Sequence, residues 1–446
     1  MAFDVFIGMA LVLGVLILIH EWGHFIVARL FKVRVDVFSI GFGPRLFGWK
    51  RGATDYRVSA LPLGGYVRMA GQDLSEVDSG KVAPTGAPDE LMSKPRWQRA
   101  LISFAGPAVN LVFPVFLLTC YYLAAGMPSA AFLSKPVQIV GLPANSQTTP
   151  APLQAGDTVV SLNDVKNPTW EQAEDQIRGN TAGGTLKLEV ENKGVRRHAE
   201  ITVKQGEPID RILGYLPIPA VIGDTFPGAP ADRAGIHEKD IIQAVNGQRV
   251  EYWDQFVDYV RGSGGKPLQL DVRRNGQVLH LTVTPKQGVT DASTSNYQIG
   301  VGPDPDIIYH RIGVAASASA ATGKTLEMVA DTLGVVGKLF SGRVSVKQLQ
   351  GAVGITRVAG DAVRKGPSAV ISVMVLISVN LGILNLLPIP ILDGGNILLL
   401  AIEGGIRRDL SLAFKERFIQ VGLVFLLVLF AYVMYNDVVR LLPSHS

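Results

Sequence analysis

Three ionisable side chains stand within one turn of an apolar segment: His20, Glu21 and His24. They form the pattern H-E-x-x-H. Residues i and i+4 of a helix lie on one face, so both imidazoles can point at one metal ion. Glu21 stands beside them, where a general base for a metal-coordinated water belongs. The pattern is short and recurs by chance in helical proteins, so its meaning depends on its surroundings.

A third candidate ligand lies far downstream. The segment NLLPIPILDGGN starts at Asn385 and interrupts another apolar stretch. Its prolines and glycines must break a helix, and broken spans are where membrane proteins build ion sites. Asp393 stands at that break, where it either caps the second half-helix or completes a metal site. Two histidines and a carboxylate are typical of catalytic zinc. We therefore predict one zinc ion held by His20, His24 and Asp393. Glu21 is then the base, and Asn385 hydrogen-bonds the substrate or the developing oxyanion.

Four apolar stretches are long enough to cross a bilayer, which takes roughly 20 apolar residues. The predicted spans cover residues 1–31, 99–126, 366–403 and 418–436. The first lacks a basic n-region and is too long for the h-region of a signal peptide, so we expect it to be retained. In the second span, Gly106 and Pro107 permit close helix approach or a kink, and Asn110 is expected to hydrogen-bond a neighbouring helix.

Composition supports a mixture of spans and polar modules. The chain has 446 residues, 48% of them hydrophobic, and a mean hydropathy of +0.26. The net charge of +4 is modest, and the sequence has no basic stretch interleaved with aromatic residues, so nucleic acid is not a favoured partner. A single cysteine, Cys120, excludes an intrachain disulfide and a cysteine-based zinc site.

Basic residues indicate the orientation of the spans. They are enriched after the first span, within residues 32–98, and again in the loop 404–417. The positive-inside rule places both segments in the cytoplasm, with the termini outside and the metal site toward the cytoplasmic side. The region 305–365, which carries an amphipathic pattern, is expected to form helices at the outer membrane surface.

Residues 55–71, within the cytoplasmic segment, are too apolar for a free loop. An alternation of apolar and polar residues, followed by Gly64 and Gly65, predicts a β-hairpin or re-entrant loop associated with the membrane. Its edge, including Tyr66, is expected to pair with an extended substrate segment. An ordinary amphipathic hairpin on the membrane surface explains the pattern equally well.

Residues 137–288 contain an internal repeat. Asp157 and Asp240 are offset by 83 positions, as are Asn163 and Asn246. A sustained offset of this kind predicts two copies of one module, residues 137–206 and 220–288. The segment GAPADRAGI followed by DII and VNG resembles the PDZ signature, and the first copy is more degenerate. PDZ domains bind peptides by strand addition. The alternative is that the copies act as spacers or as a steric cap.

Together these motifs resemble the site-2 protease family of intramembrane zinc metalloproteases. The resemblance rests on H-E-x-x-H in the first span, G-P-x-x-N in the second and N-x-x-P-x-P-x-L-D-G in a later one. It implies a multi-pass α-helical membrane protein with four spans, a β-hairpin at the membrane and tandem α+β PDZ-like domains outside the cytoplasm. It implies zinc at His20, His24 and Asp393 with Glu21 as catalyst, and substrate contacts at Asn385 and around Gly64.

The resemblance also implies a biological role. We expect an enzyme of the bacterial inner membrane, with its PDZ copies in the periplasm. It cleaves single-span proteins after a first protease has removed their outer domain. The expected substrates are an anti-sigma factor of an envelope stress response and remnant signal peptides. Two other classes are a PDZ scaffold with an inactive core, which the intact Glu21 disfavours, and a metal transporter, which four spans without a path of ionisable residues disfavour.

Overall fold

The computed structural model of the protein describes residues 2–71, 86–142, 153–179, 184–203, 209–226, 228–289, 295–341 and 352–441. The chain divides into two compact units, one of residues Met1–Gly126 with Arg311–Ser446 and one of Met127–His310. By length and composition, four described helices can cross a membrane: Val12–Leu30, Arg96–Ala125, Pro367–Asn385 and Ala413–Tyr435. This agrees with the four predicted spans.

The helices follow one another as α1 (Ala2–Leu30), α2 (Arg96–Ala125), α3 (Trp170–Gly179), α4 (Ile209–Ile212), α5 (Pro230–Arg233), α6 (Trp253–Gly262), α7 (Val314–Phe340), α8 (Ala352–Lys365), α9 (Pro367–Asn385), α10 (Asp393–Ile406) and α11 (Leu412–Leu441). Short 3-10 turns cover Leu91–Ser93 and Ala131–Ser134. α3 to α6 belong to the second unit, and the other helices to the first.

Helix α2 is the centre of the first unit. α1 crosses it so closely that a Cβ on Gly23 would lie 2.6 Å from the carbonyl oxygen of Ala105. On α9, a Cβ at Gly382 would lie 2.8 Å from the side chain of Leu111. Small residues at such crossings let backbones approach, which is how helices associate where lipid removes the hydrophobic driving force. α7 also packs on α2, with Ala321 buried beside Leu118 and Tyr122.

Between α1 and α2, two long strands form a bent antiparallel sheet: β1 (Val35–Arg51) and β2 (Thr54–Met69). The first part of β1, residues 35–40, pairs with both ends of β2, with residues 55–58 on one side and 65–69 on the other. The second part of β1, residues 45–51, pairs with residues 54–59. The two strands therefore make four short segments, and residues 65–69 form one edge.

The predicted hairpin at residues 55–71 was wrong in its bounds. Its turn is not at Gly64 and Gly65, which lie inside β2, but at Gly52, where φ is +63°. The hairpin begins at Val35, because the partner of the predicted strand comes from the segment before it. Alternation in the sequence identifies a strand but does not identify the segment with which it pairs.

The second unit contains β3 (Met127–Ala130), β4 (Thr158–Leu162), β5 (Val165–Lys166), β6 (Thr185–Asn192), β7 (Val195–Thr202), β8 (Ile222–Thr225), β9 (Ile241–Val245), β10 (Gln248–Arg249), β11 (Leu268–Arg274), β12 (Gln277–Val283), β13 (Lys286–Gln287), β14 (Tyr297–Gln298), β15 (Val301–Pro303) and β16 (Ile307–His310). Two four-stranded sheets have equivalent orders, β5-β4-β6-β7 and β10-β9-β11-β12. β16 pairs with β3, so the chain enters and leaves this unit along one ladder.

The repeat in the sequence is a repeat in structure. Asn163 and Asn246 both have φ of +50°, and each side-chain oxygen accepts a hydrogen bond from a neighbouring strand, from the Lys187 N–H or the Gln269 N–H. Both modules extend past their predicted ends at residues 206 and 288. Leu213 completes the first core, and β15 pairs with β8 in the second. The segment around Leu213 and strand β15 lack the alternation of apolar and polar residues that marked the other strands. They were therefore not included in the predicted modules.

Candidate metal centre

His20, His24 and Asp393 meet at one point inside the first unit. His20 Nε2 lies 3.2 Å from His24 Nε2 and 3.2 Å from Asp393 Oδ2, and His24 Nε2 lies 3.5 Å from the same oxygen. Both histidines are 8% exposed. Among the described residues, this is the one group of three His, Cys, Asp or Glu side chains whose ligand atoms converge within 4.8 Å.

These three donors fit a zinc ion. Ligands at roughly 2.0–2.1 Å in tetrahedral geometry are separated from one another by roughly 3.3–3.4 Å. The observed separations, between 3.2 and 3.5 Å, bracket that value. Two neutral imidazoles and one carboxylate also leave the fourth position for water, which is the donor set of a catalytic site. Burial of three ionisable groups in an apolar bundle is costly unless they are paired or bind a metal.

Helix α2 forms the wall behind the two histidines. A Cβ on Gly106 would lie 2.3 Å from His24 Nε2 and 2.9 Å from His20 Cε1, so the imidazoles occupy the space that a side chain would need. His24 Nδ1 donates a hydrogen bond of 2.7 Å to the carbonyl of Ile102. Nδ1 therefore carries the proton, and Nε2 is left with its lone pair toward the site.

His20 also touches α2 through its other ring nitrogen. Its Nδ1 lies 3.1 Å from the side-chain amide of Asn110, which is fully buried. The backbone carbonyl of Asn110 accepts a hydrogen bond of 2.7 Å from the Ser378 hydroxyl on α9. The expected hydrogen bond from Asn110 to a neighbouring helix is thus present. That helix is α1, which carries the H-E-x-x-H motif.

The break between α9 and α10 places Asp393 beside the two histidines. α9 ends at Asn385 and α10 starts at Asp393, with Leu392 as N-cap and no side-chain cap. The alternative that Asp393 only caps α10 is therefore wrong, since its carboxylate turns to the histidines instead. Ile391 has φ of +80°, a strained conformation for a β-branched residue. A Cβ on Gly394 would lie 2.2 Å from the Leu387 carbonyl, so this turn requires glycine.

Glu21 faces the edge of the sheet. The backbone N–H of Val67 lies beside its carboxylate. A Cβ on Gly65 would lie 3.6 Å from Glu21 Cγ, so the strand passes directly beside this side chain. Tyr66, which lies between Gly65 and Val67 in the strand, stacks on Phe42, with ring centroids 6.0 Å apart and an interplanar angle of 12°. The Arg57 guanidinium lies over the Tyr66 ring. Gly64, Gly65 and Tyr66 are substrate contacts predicted from the sequence, whereas their proximity to Glu21 was not predicted.

Asn385 and α11 flank the same turn. Asn385 is the last residue of α9, at the start of the loop that leads to Asp393. On α11, a Cβ at Gly422 would lie 2.2 Å from Pro390 Cβ, so this outer helix rests on the Pro-rich loop. The contact of His24 with the Ile102 carbonyl and the packing of both imidazoles against Gly106 were not predicted from the sequence. A glycine followed by proline in a span was the one signal available for them.

Comparison with known proteins agrees with this geometry. The model of peptidase family M50 matches residues 8–429. The chain is 32% identical over 453 residues to the regulator of sigma-E protease RseP of Salmonella typhimurium, covering 96% of this chain and 97% of that one. The Escherichia coli protein of the same name is 32% identical over 451 residues, with the same coverage. A Vibrio cholerae protein named as a zinc metalloprotease is 31% identical over 458 residues, covering 98% of each chain.

A PDZ domain of an SdrC-like protein from Listeria monocytogenes covers 19% of this chain and 84% of its own length, at 14% identity and a TM-score of 0.17. The PDZ interpretation of the modules depends on the repeat and the strand order rather than on this likeness.

The fold and site define an integral membrane protein that is a zinc metalloendopeptidase. The chain belongs to peptidase family M50, the site-2 protease type.

Proposed function

We propose that the protein is an intramembrane protease that cuts single-span membrane proteins at a centre with one zinc per chain. His20, His24 and Asp393 hold the ion, and Glu21 is the general base. The observation that carries the proposal is the convergence of three ligand atoms at tetrahedral spacing, beside a carboxylate that borders a strand edge.

Zinc held by these three residues would supply Lewis acidity, which would make water acidic enough to react near neutral pH. The Glu21 carboxylate takes a proton from the attacking water and passes it to the nitrogen of the leaving amine. The two α2 contacts hold the imidazole rings in place, through the Ile102 carbonyl and the Asn110 side chain. We assign Asn385 a hydrogen bond to the substrate backbone or to the developing oxyanion.

A transmembrane helix cannot be cut while its carbonyls are engaged in helical hydrogen bonds, so the enzyme must hold an extended segment. The edge at residues 65–69 supports this role, since it pairs with β1 on one side and borders Glu21. A substrate strand added there would have its backbone presented beside the base. Gly64, Gly65 and Tyr66 are the proposed contacts of that strand.

For biological substrates, we propose an anti-sigma factor and remnant signal peptides, cut after a first protease has removed the outer domain. Relatives named as regulators of sigma-E protease support this proposal. We propose the inner membrane as the location, with the site toward the cytoplasm. In support, Arg96 at the start of α2 bonds Asp409 in the loop between α10 and α11, so two segments near basic clusters share one end of the bundle.

We further propose that the repeated modules filter substrates by size. Phe132 and Leu216 pack against the cores of both modules, and Tyr215 bonds Asp258 across them, which supports a single bulky body. The chain inserts this body between α2 and α7. Deletion of residues 137–288 should then permit cleavage of an untrimmed substrate. If the deletion abolished cleavage of trimmed substrates, the modules would be recruiters that bind peptides.

The decisive experiment uses the full-length protein in detergent. Zinc content and mass-mapped cleavage of a single-span peptide are measured together. One zinc per chain with cleavage inside or next to the apolar segment is expected. Zinc without cleavage of any single-span peptide would favour a scaffold. Zinc uptake into proteoliposomes without cleavage would favour a transporter.

A further inference from the structure

Asn110 is a fully buried amide whose side chain and backbone make separate contacts. Its Nδ2 lies 3.1 Å from His20 Nδ1, while its backbone oxygen accepts the Ser378 hydroxyl. Its other polar side-chain atom, Oδ1, is buried and has no hydrogen-bond partner among the described residues. A buried carbonyl oxygen without a donor is costly, so this orphan calls for a physical explanation.

The orientation of the amide determines which nitrogen of His20 carries the proton. If Nδ2 faces the ring, it donates to Nδ1, and the proton of a neutral His20 must then be on Nε2. Nε2 is the atom that faces His24 and Asp393, and a protonated nitrogen cannot bind a metal. If the amide turns by 180°, Oδ1 takes the place of Nδ2 and accepts the Nδ1 proton. Oδ1 then has a donor and Nε2 presents its lone pair, while Nδ2 moves to the position in which Oδ1 had no hydrogen-bond partner.

We propose that Asn110 is a positioning residue whose side-chain oxygen accepts the Nδ1 proton of His20 and so fixes the tautomer that binds zinc. This inference rests on the proposed zinc site. Helix α2 then orients both imidazole ligands in the same way, His24 through the Ile102 carbonyl and His20 through the Asn110 oxygen. Acceptors behind metal-bound histidines fix ring orientation and raise ligand basicity, which gives the amide a direct effect on metal affinity.

The competing role for Asn110 is helix packing alone. Its backbone contact with Ser378 joins α2 to α9 and does not involve the amide. The two roles can therefore be separated by substitution. Asn110→Leu keeps the number and branching of the side-chain heavy atoms and removes the acceptor. Asn110→Asp keeps an acceptor in the same place. Ser378→Ala removes the interhelical bond and leaves the amide facing His20.

The test measures zinc affinity of the full-length protein by competition with a chelator, with helix content and thermal unfolding as folding controls. Asn110→Leu should bind zinc 10–100-fold more weakly, the usual loss when an acceptor behind a ligand is removed. Asn110→Asp and Ser378→Ala should stay within threefold of the wild type. Cobalt substitution adds a signature of ligand geometry, and its visible absorption should change in Asn110→Leu alone.

A wild-type zinc affinity and cobalt spectrum in Asn110→Leu would overturn the inference, and so would a loss in Ser378→Ala equal to that in Asn110→Leu. If Asn110→Leu does not fold, ¹⁵N-histidine spectra of the zinc-loaded wild type decide instead. Both ligand histidines should show a protonated Nδ1, and a ligand with a protonated Nε2 would refute the assignment. A wild type that binds no zinc would refute the proposed function itself, which distinguishes the two failures.

Discussion

Replacement of Gly106 by alanine tests the packing of α2 against His20 and His24. The new methyl group would lie 2.3 Å from His24 Nε2, 2.6 Å from His24 Cε1 and 2.9 Å from His20 Cε1. Ordinary contact begins near 3.4 Å, so the rings or the helix must move by about 1 Å. The rings cannot retreat freely, because His24 is bonded to Ile102 and His20 touches Asn110.

A displacement of about 1 Å at a reacting centre costs about 100-fold in rate. At 1.36 kcal/mol for each factor of ten, this is about 2.7 kcal/mol of transition-state stabilisation. Global stability should not fall for reasons of helix propensity, since alanine is about 1 kcal/mol better than glycine inside a helix. Gly106→Ala is therefore expected to lose zinc and activity while its helix content stays unchanged.

The assay combines zinc content with kcat/KM on a single-span peptide. Gly334→Ala in α7 is the matched control, because a Cβ there meets nothing within 4 Å. The control should retain zinc and rate. Full zinc occupancy and a rate within threefold of the wild type in Gly106→Ala would refute the view that the imidazoles rest against this glycine.

Four further substitutions test other parts of the molecule. Glu21→Gln should keep zinc and lose cleavage at least 100-fold, because the ligands stay while the base is removed. Asp393→Ala should lower zinc affinity and cleavage together, since a three-ligand site drops to two. Val67→Pro should slow cleavage about tenfold with normal zinc, because proline removes the N–H beside Glu21. Arg274→Met should destabilise the second module by about 3–5 kcal/mol, since it leaves the buried Asp240 carboxylate unpaired. Burial would raise the pKa of Asp240, but hydrogen bonds from Arg274 and the His237 N–H hold it below its usual range. This contribution to stability is present above pH of about 4 and is lost as the pH falls through the depressed pKa.

Each of these predictions has an outcome that contradicts it. Zinc loss in Glu21→Gln would make that residue structural, and one tightly bound zinc in Asp393→Ala would exclude Asp393 as a ligand. Val67→Ala, which keeps the N–H, is the control for the proline variant, and equal rates in both would remove the edge from the mechanism. Hydrogen exchange of β9 and β11 amides in the full-length protein reports on Arg274→Met, and unchanged protection at pH 7 would refute the ion-pair argument.

Much of the candidate metal centre could be predicted from the sequence because its parts are local. Helical periodicity alone puts His20 and His24 on one face. The prolines and glycines before Asn396 must break a helix wherever it lies, so Asp393 had to stand at a helix start inside an apolar region. The repeat likewise gave two equivalent modules, since an offset of 83 between Asp157 and Asp240 needs no knowledge of the fold.

Tertiary structure alone decided the rest, because it depends on which distant segments meet. The alternation of apolar and polar residues marked β2 as a strand, but its partner came from residues 35–51, so the turn moved to Gly52 and Gly65 became part of an edge. The proximity of that edge to Glu21 follows from how α1 packs on the sheet, which no local pattern encodes. Asn110 is likewise an ordinary polar residue in sequence. Its position behind His20 exists because Gly23, Ala105 and Gly106 let two helices cross in close contact.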